Sequence, residues 1–390
     1  MNSKERVSRA FAHQEADRVP IFELTIDNPT AAHVLGRPNL CGFAGKARGL
    51  RQNEALINGQ IEAYHRQRID DEIALWKALD LDVYCHAEPV SCNPLIPDLI
   101  AENTWRFSNP SNEEWHICRY APESNTYDQV DSYIRQGGLP ALERVTENLE
   151  AHQPSLEEWD FTPVETLLQE LGSDCFLVGF ADVELGNTWD WAETFLIGLV
   201  EAPNLIHRYL DARLKTTLMI TEALLERGVD GMWGGYDWAS NRGPMFSPRH
   251  FRKFVFPRLK QITDLCHRFG APFIKHTDGN VYSLIDDMIA AGVDAFQAIE
   301  PRAGMDIEHL KREYGDHWTL IGNVDCASVL IDGTEEAVRA ETEQVIRTAA
   351  PGGGFLLSTS NSVHPGVKPE LYLAMLDTAR QVGVYPISDG

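Results

Sequence analysis

With 58 acidic against 34 basic residues in 390 and a formal charge of −24, this chain lacks the excess of Lys and Arg on which binding to nucleic acid or an anionic membrane surface depends. Hydrophobic residues make up 43%, enough to bury a large core and to argue against disorder in the body of the chain. The seven cysteines are odd in number and contain no CxxC pair, which argues against a disulfide framework and a four-cysteine zinc site.

The amino terminus, MNSKERVSRAFAHQ, is polar and has no apolar signal segment. No run of about 18 apolar residues suggests a membrane span, so a reducing cytoplasm is the expected compartment. VPIFE (19–23) and LDVYCHA (81–87) read as the first two strands. Residues 89–165 then break the rhythm. They are rich in Pro, Asn, Ser and Glu and include the alternating stretch EEWHICRYA. This pattern predicts an inserted β-hairpin region lying over one end of the fold.

From about residue 172, strand-like and helix-like segments alternate. The strand candidates are CFLVGFADVE (175–184), GMWGGYD (231–237), PFIKHTDG (272–279), DAFQAIEP (294–301), TLIGNVDC (319–326) and GFLLSTSN (354–361). A helix is expected over 247–270, with Ser247 as its cap, Pro248 in its first turn, a kink at Pro257 and a stop at Gly270. Further helices are expected over 281–292, 306–314 and 334–349, and from Pro369 onward. Eight strand–helix steps in one domain spanning 1–390 predict a (β/α)8 TIM barrel. No GxGxxG follows the first strand, which argues against a doubly wound dinucleotide fold.

In such a barrel the active site lies at the carboxyl ends of the strands. Those ends carry Glu23, His86, Asp182 with Glu184, Asp237, His276 with Asp278, Glu300, Asn323 with Asp325, and Asn361 with His364. Packing alone gives no reason to gather so many polar groups, because buried unpaired carboxylates are costly. His276 and Asp278, two apart, leave a strand end on the same side. They read as metal ligands, as an acid/base pair, or as a polar plug before the turn at Gly279 and Asn280. Trp189, Trp191, Trp233, Tyr236 and Trp238 fall in the same part of the sequence. They suit a pocket for an aromatic ring or a cage for a quaternary ammonium, or plain packing between helices and sheet.

Several stretches together resemble the uroporphyrinogen decarboxylase-like superfamily: KERVSRAFAHQEADRVPIFE, GGYDWASNRGPMFSPRHFRKFVFPRLKQI, KHTDGN, IEPRAGMDI, LIGNVD and SNSVHPGVKPELYLAM. The resemblance covers most of the chain, the middle insert least, and it too implies a (β/α)8 barrel. True decarboxylases carry an Arg-rich stretch after the first strand. Here the stretch is FELTIDNPTAAHVLG, with no Arg before Arg37. The other branch, the zinc methyltransferases of corrinoid-dependent methyl transfer, uses a His-x-Cys motif and a distant second Cys when the acceptor is a thiol. His276 matches the family His, Asp278 stands in the place of the first Cys, and the second falls near Ser362.

The resemblance therefore implies relatives that take a methyl group from a small O- or N-methylated substrate and pass it to the cobalt of a corrinoid. The corrinoid would come on a partner protein, since no DxHxxG-type cobalamin segment is present here. It implies zinc held by His276, Asp278 and Glu184. It implies His276 and Glu184 as metal or acid/base residues, with Asp237 and His364 as alternates. Substrate contacts are expected from Trp189, Trp233, Tyr236, Trp238 and Asn361. Two rivals stand beside this reading. A decarboxylase-like lyase predicts arginines at the barrel mouth, and a non-catalytic small-molecule binding protein predicts a pocket without a metal.

Overall fold

The computed structural model describes residues 1–38, 45–122, 126–186 and 189–387. Seven parallel strands form one sheet in chain order: β1 (Val83–Tyr84), β2 (Phe176–Phe180), β3 (Gly231–Gly234), β4 (Phe273–His276), β5 (Ala295–Gln297), β6 (Thr319–Val324) and β7 (Phe355–Thr359). Each lies within the segment expected of it. The first segment, 19–23, closes the ring. Ile21 pairs in parallel with Leu357. Phe22 N–H donates to Leu357 O at 2.8 Å, Leu357 N–H to Pro20 O at 2.9 Å, and Asp82 N–H to Ile21 O at 3.0 Å. On the β1 side the Asp82 carboxylate takes the Ile21 N–H at 2.7 Å. The result is the expected TIM barrel.

Period-two alternation sorts the strand residues onto two faces. Phe22, Leu24, Val83, Cys85, Phe176, Val178, Trp233, Ile274, Ala295, Ile321 and Leu356 form one apolar cluster, closed below by Val7 and Ala10 of the helix Ser3–Phe11. This cluster fills the barrel. Ile21, Tyr84, Leu177, Met232, Phe273, Phe296, Leu320 and Leu357 face the other way and pack into the helical layer. On β4, Ile274 and His276 therefore point inward and Lys275 outward. On β5, Ala295 and Gln297 point inward.

The helices follow the sequence signals closely. Ser247 accepts the His250 N–H at 3.3 Å, with Pro248 in the first turn. The expected kink at Pro257 takes the form of a π-helical turn, Phe251–Val255, before the helix Phe256–Arg268. Proline has no N–H to donate to the preceding turn, and the ladder widens there. The insert is more elaborate than a single hairpin. It holds a four-stranded antiparallel sheet, Asp98–Ala101, Thr104–Ser108, Trp115–Ala121 and Thr126–Ser132, and a helix, Tyr133–Ala151, that breaks at Gly138 before Pro140. Gln129 of this sheet hydrogen-bonds Asp190 in the loop after β2, so the insert reaches the carboxyl-end rim of the barrel. Among the described residues no helix is long and apolar enough to cross a membrane.

Glu23 sits on the outward face at the seam between the first segment and β7. It is fully buried and accepts the Thr359 hydroxyl at 2.7 Å. Burial pushes its carboxyl up to about 8, against the hydrogen bonds of Thr359 and Leu24. The folded chain therefore keeps a proton that the unfolded chain has lost. Between about pH 4.5 and pH 8 stability should fall as pH rises, on the order of 1 kcal/mol per unit, and level off above that window. Glu23→Gln should remove this slope, which urea unfolding at several pH values will measure.

Candidate functional site

His276 ends β4 on its inner face and is 6% exposed. Its Nε2 lies 3.6 Å from Asp278 Oδ1 and 3.8 Å from Asp237 Oδ1. Asp237 follows β3 and Asp278 follows β4. The Asp278 N–H donates to Asp237 Oδ1 at 2.9 Å, which draws the two loops together. One ligand atom from each of the three residues falls within 4.8 Å of the others. The turn after Asp278 needs glycine: Gly279 has φ +86°, and a Cβ there would lie 2.6 Å from the Ser240 carbonyl. Burial pushes the Asp278 carboxyl up, and neighbouring Asp237 pushes it further, while His276 and the Asn361 amide oppose the shift.

Two neighbours hold these groups. Gln297, fully buried and paired in register with His276 across β4 and β5, hydrogen-bonds His276 Nδ1 through its Oε1 and donates from Nε2 to the Asn361 carbonyl at 3.0 Å. The Asn361 side-chain amide donates to Asp278 Oδ1 at 2.7 Å. On the outer face of the wall, Lys275 Nζ reaches Asp182 Oδ2 at 2.5 Å and the Tyr236 carbonyl at 2.8 Å, and lies 3.9 Å from the centre of the Trp238 ring. Asp182 Oδ2 also accepts the Tyr236 N–H at 2.8 Å. Both backbone groups of the residue before Asp237 are thus fixed. Gly234 leaves the room, since a Cβ on it would meet Asp182 Cγ at 2.7 Å.

An aromatic wall stands beside the cluster. The Trp233 ring is 6.4 Å from His276, 5.2 Å from Phe180 and 5.5 Å from His86. Tyr236 lies 5.6 Å from Phe180 and 6.4 Å from Trp189. Of the residues singled out from sequence, the structure brings His276, Asp237, Asp278 and Asn361 together, with Trp233, Tyr236 and Trp189 alongside.

Three of the expected residues make other contacts. Glu184, expected as a metal donor, is instead bound to Arg213 (Nε to Oε2 2.7 Å), and Asp237 completes the set of three. His364 is turned to the Cys326 carbonyl at 3.0 Å and takes the Gly366 N–H at 3.1 Å, so both ring nitrogens are engaged away from the cluster. Trp238 is fully buried under Lys275 and packs on Phe251, which makes it a wall residue. Gln297 and the Lys275–Asp182 pair were not identified as site-shaping residues from sequence. The signal was there: a lysine and a glutamine inside otherwise apolar strands.

Removing Asp182 leaves the Lys275 ammonium buried without its carboxylate. Asp182→Ala should cost about 3–5 kcal/mol, read by urea unfolding. Replacing both partners with apolar residues should restore most of that loss.

Residues 168–382 match the family model described as uroporphyrinogen decarboxylase (URO-D). A uroporphyrinogen decarboxylase of Alkalilimnicola ehrlichii is 25% identical over 240 residues, covering 56% of this chain and 60% of that protein. A methylcobamide:CoM methyltransferase of Methanosarcina barkeri is 24% identical over 198 residues, covering 49% of this chain and 56% of its own length. The chain thus spans about three fifths of the first relative and just over half of the second. A solved methyltransferase from Methanosarcina mazei superposes over 98% of this chain and 99% of that one with a TM-score of 0.68 at 16% identity, a likeness of fold. With its model matched over more than half of the residues, the chain belongs to the uroporphyrinogen decarboxylase (URO-D) family.

Proposed function

We propose that this protein is a methyltransferase that takes a methyl group from a small O- or N-methylated substrate and delivers it to the cobalt of a corrinoid carried by a separate protein. The observation that carries this reading is the Asp237–His276–Asp278 cluster at the barrel mouth. Two carboxylates and one imidazole nitrogen there make a donor set of charge −2, suited to a divalent cation. A tetrahedral ion with bonds of about 2.1 Å spaces its donors about 3.4 Å apart. The separations of 3.6 and 3.8 Å from Nε2 are close to that spacing, so zinc or a similar ion fits. When bound, the ion supplies Lewis acidity toward the leaving oxygen or nitrogen.

The chain's own residues account for the rest. His276, Asp237 and Asp278 hold the site at a strand end, where Gln297 and Asn361 fix their geometry. Trp233, Tyr236 and Trp189 offer ring faces to orient the methyl donor. The donor set has oxygen and nitrogen only. Neither thiolate that the resemblance ties to a thiol acceptor is among these donors, so a methyl ether or amine donor is the better match. The name of the Methanosarcina barkeri relative ties that protein to a methylated cobamide, which supports the choice of a corrinoid.

The test is to supply methoxyaromatics and methylamines with a reduced corrinoid protein and follow cobalt methylation by absorbance. Methylation that requires this chain is the expected outcome, and porphyrinogen turnover by the chain alone would overturn the reading. His276→Ala and Asp237→Asn should each lower transfer by on the order of 100-fold or more, and His276→Ala should also cost about 1–3 kcal/mol of stability by leaving the buried Gln297 oxygen unpaired, whereas His364→Ala should retain transfer. Protein stripped with a chelator should lose activity and regain it with one equivalent of zinc.

A further inference from the structure

The hydrogen bonds behind His276 run in one direction only. The Asn361 carbonyl is an acceptor, and it takes Gln297 Nε2–H at 3.0 Å. That contact sets which way the Gln297 amide lies, so Oε1, also an acceptor, meets His276 Nδ1. In the neutral imidazole the proton then belongs on Nδ1, and Nε2 keeps its lone pair. Nε2 is the atom that faces Asp237 and Asp278. The same Asn361 donates its side-chain amide to Asp278. A relay of Asn361, Gln297 and His276 thus begins and ends at the cluster. Gln297 is fully buried, and its polar atoms are occupied on both sides by this relay.

We propose that Gln297 is a positioning residue. Anchored by the Asn361 carbonyl, it holds the His276 proton on Nδ1 and so presents Nε2 as a lone pair toward the two carboxylates. An acceptor on the inner nitrogen is the device that orients a metal-bound histidine and strengthens it as a ligand. The class of ligand this favours is a divalent cation, an assignment that rests on the metal reading above. The tautomer itself does not.

The experiment uses the full chain, metal-free, with 15N-labelled histidine. Long-range 1H–15N spectra distinguish the two tautomers, and His276→Ala assigns the signal. The wild type should show the Nδ1–H form. Gln297→Leu, similar in volume but without an acceptor, should lose that form, and zinc affinity by direct titration should fall about 10–100-fold. Circular dichroism verifies that the variant is folded. With spectra taken at alkaline pH, where the ring is neutral, an Nε2–H ring in the wild type would overturn the proposal, and so would a folded Gln297→Leu that keeps both tautomer and affinity. Because the wild-type spectrum decides the tautomer by itself, a variant that fails to fold does not shelter the proposal. An Nδ1–H ring in a chain that takes up no zinc would sink the metal reading and leave Gln297 as the residue that sets the tautomer.

Discussion

Lys275 and Asp182 meet with neither side chain reaching solvent, and the rest of the mouth is arranged around that contact. Strand alternation makes the two uses of β4 inseparable. Lys275 points into the wall and His276, one residue on, points into the barrel. The wall contact fixes the Tyr236 backbone through both its N–H and its C=O, and Asp237 follows directly. Desolvating the two charges works against the pair: burial pushes the Asp182 carboxyl up and the Lys275 ammonium down, and each charge opposes the shift of the other. Such a pair adds little net stability over an apolar substitute. What it provides here is position, since the ammonium demands oxygens in fixed places and finds them on two adjacent strand ends.

The cluster on the inner face works by a related logic with the opposite sign. Asp237 and Asp278 approach one another and His276 in a part-buried setting, and Asp278 is held up partly by its neighbour's charge. Glu300 is likewise pushed up, by burial first and then by Asp278, Asp325 and Asp237. Acidic groups that crowd this way resist full ionisation unless a cation joins them. The protein has placed its own nearby ammonium on the far side of the wall, with Asp182.

Much of this was legible in the sequence. Apolar runs that end in Asp, Glu, His or Asn marked the strands and the ends where the candidate cluster lies, because a barrel strand carries both. FIKHTDGN gave His276 and Asp278 on one side and glycine for the turn. What the sequence concealed was pairing. Glu184 was expected ahead of Asp237, but Arg213, on the helix Pro203–Glu226, binds it. That choice depends on how a long helix lies against the sheet, which no local pattern records. Gln297 became meaningful only through its register with His276. Trp238 and Trp233 looked alike as aromatics after or on a strand. One lies outside the wall against Lys275 and the other inside beside His276, a difference set by the strand's alternation and the bend that follows it.

The charges around the mouth also bear on the substrate. Arg213 is engaged by Glu184 and Arg302 lies 3.8 Å from Asp325, so these two cations sit against carboxylates of this chain, while Arg242, in the turn after β3, is exposed. A porphyrinogen with many carboxylates would have to displace those partners or face Asp237, Asp278 and Glu300 directly. A neutral ether or an amine meets no such opposition. The aromatic faces of Trp233, Tyr236 and Trp189 attract a cationic or uncharged methyl donor more than an anionic one, because the ring face is the negative end of its quadrupole. These electrostatics support the small methylated substrate proposed above over a polyanion.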